Sequence, residues 1–372
     1  MTDAEPDIIS SLPGHIIDHI LSHLSIKEAV RTSVLSTKWR YKWATLPNLV
    51  FDSQCISETS EDLLDIKSKL SRIIDHVLLL HSGPIRKFKL SHRELIGVTD
   101  IDRWTLHLTR RPVKEFVLEI WKGQRYKIPT CLFSCQGLHH LELFNCWLKP
   151  PSTFQGFRNL KSLDLQHVTL AQDAFENLIS SCPLLERLTL MNFDGFNHLN
   201  IRSPNLQFFD IGGKFDDISF ENTSQLAVYL AMGVVPVKLP TPCIDLSYLS
   251  IRINFNDSKE ISAALCLLRN SPNLRELEIL ARPEEQPVPI AHHTYCWEEV
   301  CLSWPVMRVQ HVRIDGISGI KPELDFVNFL LQYSPVLEKM AVKPALNAGP
   351  ELVKDLLRFR RASTRAEVTY LD

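Results

Sequence analysis

Leu138-His-His-Leu141-Glu-Leu143-Phe-Asn-Cys146-Trp-Leu148 is the stretch on which the fold turns. In an extended chain, side chains alternate between faces, so Leu141 and Leu143 share one face of a short strand. Leu138 turns in behind them, while His140, Glu142 and Phe144 point the other way. The spacing recurs. Leu160, Leu163, Leu165, Val168 and Leu170 repeat it 22 residues later, and Leu185, Leu188 and Leu190 after 25 more, with Phe193 in the cysteine slot. Looser copies start at Ile85, Val113, Leu206, Leu246, Leu274, Val309 and Leu337, with a degraded one at Leu226.

The mean step from Ile85 to Leu337 is about 25 residues, inside the roughly 20–29 of a leucine-rich repeat. The array accounts for much of a composition with 54 leucines against 13 glycines. Amphipathic stretches lie between the strands at Asp173–Ser181, Ile261–Arg269 and Glu323–Tyr333. Each runs into Cys182-Pro183, Ser271-Pro272 or Ser334-Pro335, where proline stops a helix before the next strand. One such unit cannot cover its own apolar face, so neighbours must stack. The class is therefore α/β, an irregular leucine-rich-repeat solenoid. Its cysteine/asparagine slot holds Cys146, Val168, Phe193, Lys214 and Asn254, so no continuous asparagine ladder is expected. Other groups must satisfy the turns that follow the strands.

Composition narrows the function. Of 372 residues, 45% are hydrophobic, which disfavours disorder. Balanced charge, 41 basic against 43 acidic residues, argues against a nucleic-acid footprint. No apolar run approaches the roughly 20 residues of a bilayer span. Met1-Thr-Asp-Ala-Glu-Pro-Asp7 lacks a signal pattern. Nine scattered cysteines fit a reduced chain in cytoplasm, nucleus or both better than a disulfide framework.

The first fifty residues form a separate module. Leu12-Pro13-Gly14 opens a helix on which Ile16, Ile17, Ile20, Leu21 and Leu24 make one apolar stripe. Ala29 and Val30 follow on Ile26–Ser33. Then comes Val34-Leu35-Ser-Thr-Lys-Trp39-Arg-Tyr-Lys-Trp43, whose tryptophans are spaced to share the face of a third helix. A module this short and this apolar must complete its core against the repeats or a partner protein.

At these residues the chain resembles an F-box. The specific parts are Leu12-Pro13, Ile20-Leu21-x-x-Leu24 and Val34-Leu35-Ser36-x-x-Trp39-Arg40, and the continuation Trp43–Asp52 resembles the flowering-plant version. Leu324–Met340 resembles the FBD domain that closes many plant F-box proteins, and Phe359–Val368 fits its ending. The resemblance implies an F-box at 7–52, a linker helix within 53–84 (around Asp62–Leu80), leucine-rich repeats over 85–290 and an FBD at 291–372. Between Ala231 and Asp245 the chain departs from the family, whose members carry an extra helix and strand there.

The resemblance further implies a non-catalytic substrate-recognition subunit of an SCF ubiquitin ligase. Its F-box would bind a Skp-type adaptor, which links to cullin and a RING protein, and its repeats would hold a target protein. The adaptor surface would draw on Leu12, Pro13, Ile16, Ile17, Ile20, Leu21, Leu24, Val30, Val34, Leu35, Trp39 and Trp43, some of which must instead form the module's core. The alternative is a leucine-rich scaffold with no link to ubiquitination. Adaptor binding separates the two.

The target-facing side chains are those opposite the core on each strand: His140, Glu142, Phe144, Ser162, Asp164, Gln166, Arg187, Thr189, Met191, Phe208 and Asp210. Later strands add Tyr248, Ser250, Arg252, Glu276, Glu278, His311 and Arg313. Charges mixed with aromatic residues suit a protein or peptide ligand. Catalytic motifs are lacking: there is no G-x-S-x-G, phosphate loop, H-E-x-x-H or G-x-G-x-x-G. Gly212-Gly213-Lys214 reads as a turn leaving a strand. Cys146 and Cys182 read as buried rather than nucleophilic. His292-His293-x-x-Cys296-x4-Cys301 offers zinc-type ligands, but at loose spacing, and reads as an exposed loop. Lys38, Arg40 and Lys42 read as a solvated helix face, and Arg358, Arg360 and Arg361 as cations at a helix end. No metal or other cofactor is expected.

Overall fold

The structure, a computed structural model, describes residues 8–55, 63–96, 99–213, 215–221, 225–230, 242–244, 246–282, 304–345 and 351–371. The chain forms two compact units, Met1–Leu170 and Ala171–Asp372.

The first unit begins with short helices α1 (Ile8–Ser11), α2 (Gly14–Ser22) and α3 (Ile26–Arg31). The third helix expected over Val34–Trp43 does not form as one piece. Instead, successive turns bond Trp39 and Arg40 amides to the Ser36 carbonyl, and Lys42 to Trp39, all at 3.1–3.2 Å. The chain then enters strand β1 (Asn48–Asp52), which precedes the first repeat and was not expected. Helix α4 (Leu63–Leu80) matches the expected linker helix. After it come β2 (Lys87–Ile96), α5 (Thr99–Thr109), β3 (Glu115–Lys122), β4 (Tyr126–Lys127), β5 (His140–Phe144), β6 (Cys146–Trp147) and β7 (Ser162–Gln166).

Strands β1, β2, β3, β5 and β7 pair in that order, all parallel. Their register turns the sequence spacing into layers. Leu49, Phe88, Phe116, Leu141 and Leu163 form one buried rung, and Phe51, Leu90, Leu118, Leu143 and Leu165 the next. Phe51, Phe88 and Phe116 adjoin at 5.8 Å centroid spacing. In the best repeats the residue just before the cysteine slot takes a left-handed conformation: Asn145 (φ 57°), His167 (φ 52°) and Asn192 (φ 50°). This turn does what an asparagine ladder would otherwise do. Asn145 Nδ2 donates to the Ile120 carbonyl at 3.0 Å, and its amide to the Gln166 carbonyl at 2.9 Å.

The second unit carries α6 (Gln172–Ser180), β8 (Arg187–Met191), β9 (His198–Arg202), β10 (Phe208–Gly212), β11 (Asp217–Glu221), β12 (Gln225–Leu230), β13 (Tyr248–Ile253) and α7 (Ser258–Arg269). It continues with β14 (Glu276–Ala281), β15 (His311–Ile317), α8 (Lys321–Tyr333), β16 (Lys339–Pro344), α9 (Glu351–Arg358) and β17 (Glu367–Tyr370). Strands β8, β10, β12, β13, β14, β15, β16 and β17 pair in parallel. The degraded repeat is displaced rather than merely weak. Leu226 pairs with Leu249 and Val228 with Ile251, so Leu226 fills a strand slot and not the leading-leucine slot. Lys214, most of the expected departure at 231–245, and the loop holding His292, His293, Cys296 and Cys301 lie outside the described residues.

Candidate functional site

Two surfaces follow from the layout, one on the N-terminal module and one on the open face of the sheets. In the module, Ser25 and Glu28 form a reciprocal cap that starts α3: the Glu28 amide donates to Ser25 Oγ, and the Ser25 amide to the Glu28 carboxylate at 3.1 Å. These bonds hold the Glu28 carboxyl below its ordinary pKa. Ile17, Leu21, Ile26, Ala29, Trp39 and Trp43 are buried. Trp39 Nε1 donates to the Ile9 carbonyl at 3.1 Å and anchors α1, while Lys38 reaches the Leu12 carbonyl. Lys42 pairs with Asp18 of α2 at 3.0 Å, while Arg40 is exposed.

This burial divides the adaptor list. Ile17, Leu21, Trp39 and Trp43 are almost fully buried and belong to the core rather than to an open surface. Leu12, Leu24 and Val30 are half-buried. Pro13, Ile16, Ile20, Val34 and Leu35 are exposed, Val34 at 87%. Ile8 (72% exposed) and Ile9 join them and were missed, although an Ile-Ile pair just before Leu12-Pro13 was a readable signal. A small module exposing this many aliphatic side chains carries the mark of an interface.

The module is fixed to the first sheet. Ser82 N donates to the Ala44 carbonyl at 2.9 Å, Arg86 N to Pro47 at 2.8 Å, and His81 Nε2 meets the Leu46 carbonyl at 2.8 Å. Burial pushes the His81 imidazole pKa down, against the hydrogen bond to the Leu46 carbonyl.

On the sheets, strand alternation leaves His140, Glu142, Phe144, Asp164 and Gln166 half-buried beside the buried leucines, whereas Ser250 of the same list is buried. Register aligns His140 with Ser162, Glu142 with Asp164, and Phe144 with Gln166. Glu142 accepts from His140 at 3.4 Å, which with Lys89 nearby holds its carboxyl below the usual range. Phe144 is half-covered by Trp121, 4.5 Å between centroids, and by His167 at 4.9 Å. In the second unit Arg187 lies 4.2 Å over the Phe208 ring, Tyr248 donates to Glu278 at 2.7 Å, and Arg313 sits 3.6 Å from Glu278. Thr189 pairs with Asp210 across β8 and β10. Burial raises the Asp210 carboxyl pKa, opposed by Arg252 and Arg282. Glu276 neighbours His311, which lies 3.8 Å from Glu338. The aromatic residues are thus partly spent on neighbours, more than alternation alone implies.

A curated Arabidopsis thaliana protein described as F-box/FBD/LRR-repeat protein At1g13570 is 39% identical to this chain, across 98% of the chain and 99% of the relative. The chain belongs to the F-box/FBD/LRR-repeat family. The F-box domain model matches residues 9–51, and the model described as "FBD-associated F-box protein At5g56370, LRR repeats" matches 101–236. Two further Arabidopsis relatives are a probable FBD-associated F-box protein, At1g32375 (25% identical; 96% of the chain, 98% of the relative), and FBD-associated F-box protein At1g66310 (26%; 100% and 97%). The exposed Ile9, Ile16, Ile20, Val34 and Leu35 therefore lie within a matched F-box, and Phe144 and Phe208 within matched repeats.

Cys146 and Cys182 are buried as expected, and burial drives the Cys146 thiol pKa up, against thiolate formation. Among the described residues no group of three or more His, Cys, Asp or Glu is placed to hold a metal ion.

Proposed function

We propose that the protein is the substrate receptor of an SCF-type ubiquitin ligase, acting in cytoplasm, nucleus or both. The F-box, residues 7–52, takes a Skp-type adaptor and through it cullin and a RING protein. The linker at 53–84 joins it to repeats over 85–290, closed by an FBD at 291–372, and the open sheet face holds the target. The observation that carries this reading is the set of exposed aliphatic side chains, Ile9, Ile16, Ile20, Val34 and Leu35, on a matched F-box that buries Ile17, Leu21, Trp39 and Trp43 instead.

The test is co-purification of the full chain with a Skp-type adaptor. An Ile20→Asp, Val34→Asp double variant should lose the adaptor while keeping the wild-type melting temperature, because both side chains are outside the core. Trp39→Ala would not serve, since its burial means it reports folding. If neither form binds the adaptor, the receptor reading fails and the scaffold reading stands; if both bind it equally, the exposed aliphatic surface is not the contact.

A further inference from the structure

The end of α2 carries a histidine pair that the F-box core does not use. His15, His19 and His23 fall four residues apart, on one row of a helix, and all three are exposed. The last two touch. Their ring centroids are 4.7 Å apart, with the planes at 78°. Metal–nitrogen bonds of about 2.0–2.1 Å put an imidazole centroid about 3.2 Å from a bound ion, so two rings sharing one ion lie about 4.5–5.2 Å apart. The observed separation falls inside that span.

His23 is also oriented for ligation. Its Nδ1 lies 2.9 Å from the His19 carbonyl. A carbonyl oxygen only accepts, so in the neutral ring the proton sits on Nδ1 and Nε2 bears the lone pair. Ser22 Oγ donates to the same carbonyl at 2.7 Å and lies 3.3 Å from His23 Nδ1, which braces the ring further. A backbone carbonyl on one ring nitrogen is the usual partner of a histidine that binds a metal through the other. The same bond caps the end of α2, where His23 is the closing residue. Capping accounts for His23 alone. It does not account for the His19 ring beside it.

We propose that His19 and His23 bind a borderline divalent ion, of the zinc and copper(II) class, at the exposed end of α2, with water in the remaining positions. Two histidines four apart on a helix are a known zinc-binding arrangement, and imidazole suits these ions better than magnesium or calcium. With two protein ligands the site is open rather than closed and structural. His19 follows Ile16, and His23 follows Ile20, by three residues, so the ion lies beside two exposed aliphatic side chains of the same helix. The site does not depend on what those side chains bind.

The test is calorimetric titration of zinc chloride into the full, untagged, reduced chain. The decisive variant is His19→Gln, which removes a ligand but keeps the His19 carbonyl, and with it the His23 cap. It should weaken one zinc-binding event by at least about tenfold, as should His23→Gln, while His15→Gln leaves that event unchanged. Zinc should raise the melting temperature of the wild type. His19→Gln should keep the metal-free melting temperature and lose part of that rise. Copper(II) should bind the pair more tightly than zinc, and magnesium should not bind it. Zinc binding that is absent from the wild type, undiminished in His19→Gln, or diminished equally by His15→Gln overturns the proposal. Loss of zinc only together with a lowered metal-free melting temperature makes the ring contact structural and overturns it as well.

Discussion

At the scale of single residues, Gly83 marks how closely the F-box is applied to the first sheet. A Cβ there would lie 2.9 Å from the Thr45 Cα and carbonyl oxygen, backbone atoms that cannot step aside. Gly83→Ala should destabilise the protein by about 1–3 kcal/mol through overpacking, read as a lower urea midpoint with an unchanged slope. Gly137→Ala, whose Cβ would meet only the Val113 carbonyl at 3.4 Å, serves as the control and should shift the midpoint far less. Glu28 supplies a pH test. Its folded pKa is depressed, so its stabilisation is present above the ordinary value of 4.5 and is lost as pH falls through the lower, folded value. Ser25→Ala should remove that part of the acid dependence in a melting series across this range. The same scale shows what the sequence could not separate. Ile16, Ile17, Ile20, Leu21 and Leu24 all qualify for one helical stripe, but Ile17 and Leu21 are fully buried while Ile16 and Ile20 are exposed. Only a contact from beyond the helix makes that choice.

At the scale of elements, α7 and α8 share a device. Glu260 and Glu323 are each the third residue of their helix and are buried. Glu260 accepts from the Asn254 amide at 2.7 Å, and Glu323 from the Ser318, Gly319 and Ile320 amides at 2.9, 2.7 and 3.1 Å. Each carboxylate satisfies the donors of the strand-to-helix turn before it, as an N-terminal cap does. Arg282 pairs with Glu260, so Arg282→Met should cost about 3–5 kcal/mol in chemical denaturation by removing the ion-pair partner of a buried carboxylate. Adding Glu260→Gln should recover part of that loss. Strands were legible because period-two alternation is local: the seven residues from Leu138 to Phe144 suffice to orient β5. Helix α5 was missed although Ile101, Trp104, Thr105 and Leu108 are buried at helical spacing, because the repeat period placed nothing there. The third F-box helix was overread: tryptophans four apart are also brought together by successive turns. The displaced register of β12 was hidden because Leu226 fits either slot by residue type.

At the scale of the whole molecule, Cys146 in the first unit and Cys182 and Cys243 in the second are buried thiols. Native protein should therefore react with a thiol reagent at these positions only on opening. Mapping the labelled cysteines at rising urea should report the first unit through Cys146 and the second through Cys182 and Cys243, and prompt labelling in buffer would show that the burial is wrong. Strand β1 has the largest functional consequence. Only Leu46 and Pro47 separate the turn at Lys42–Thr45 from β1, and β1 itself pairs with β2 in the parallel sheet of the first unit. In the receptor reading, no swivel lies between the adaptor and the start of that sheet. A target seated on the sheet of the first unit is presented to the ligase at a fixed distance and angle. Which of its lysines receives ubiquitin then becomes a matter of reach, decided by where the target is gripped rather than by the sequence around each lysine.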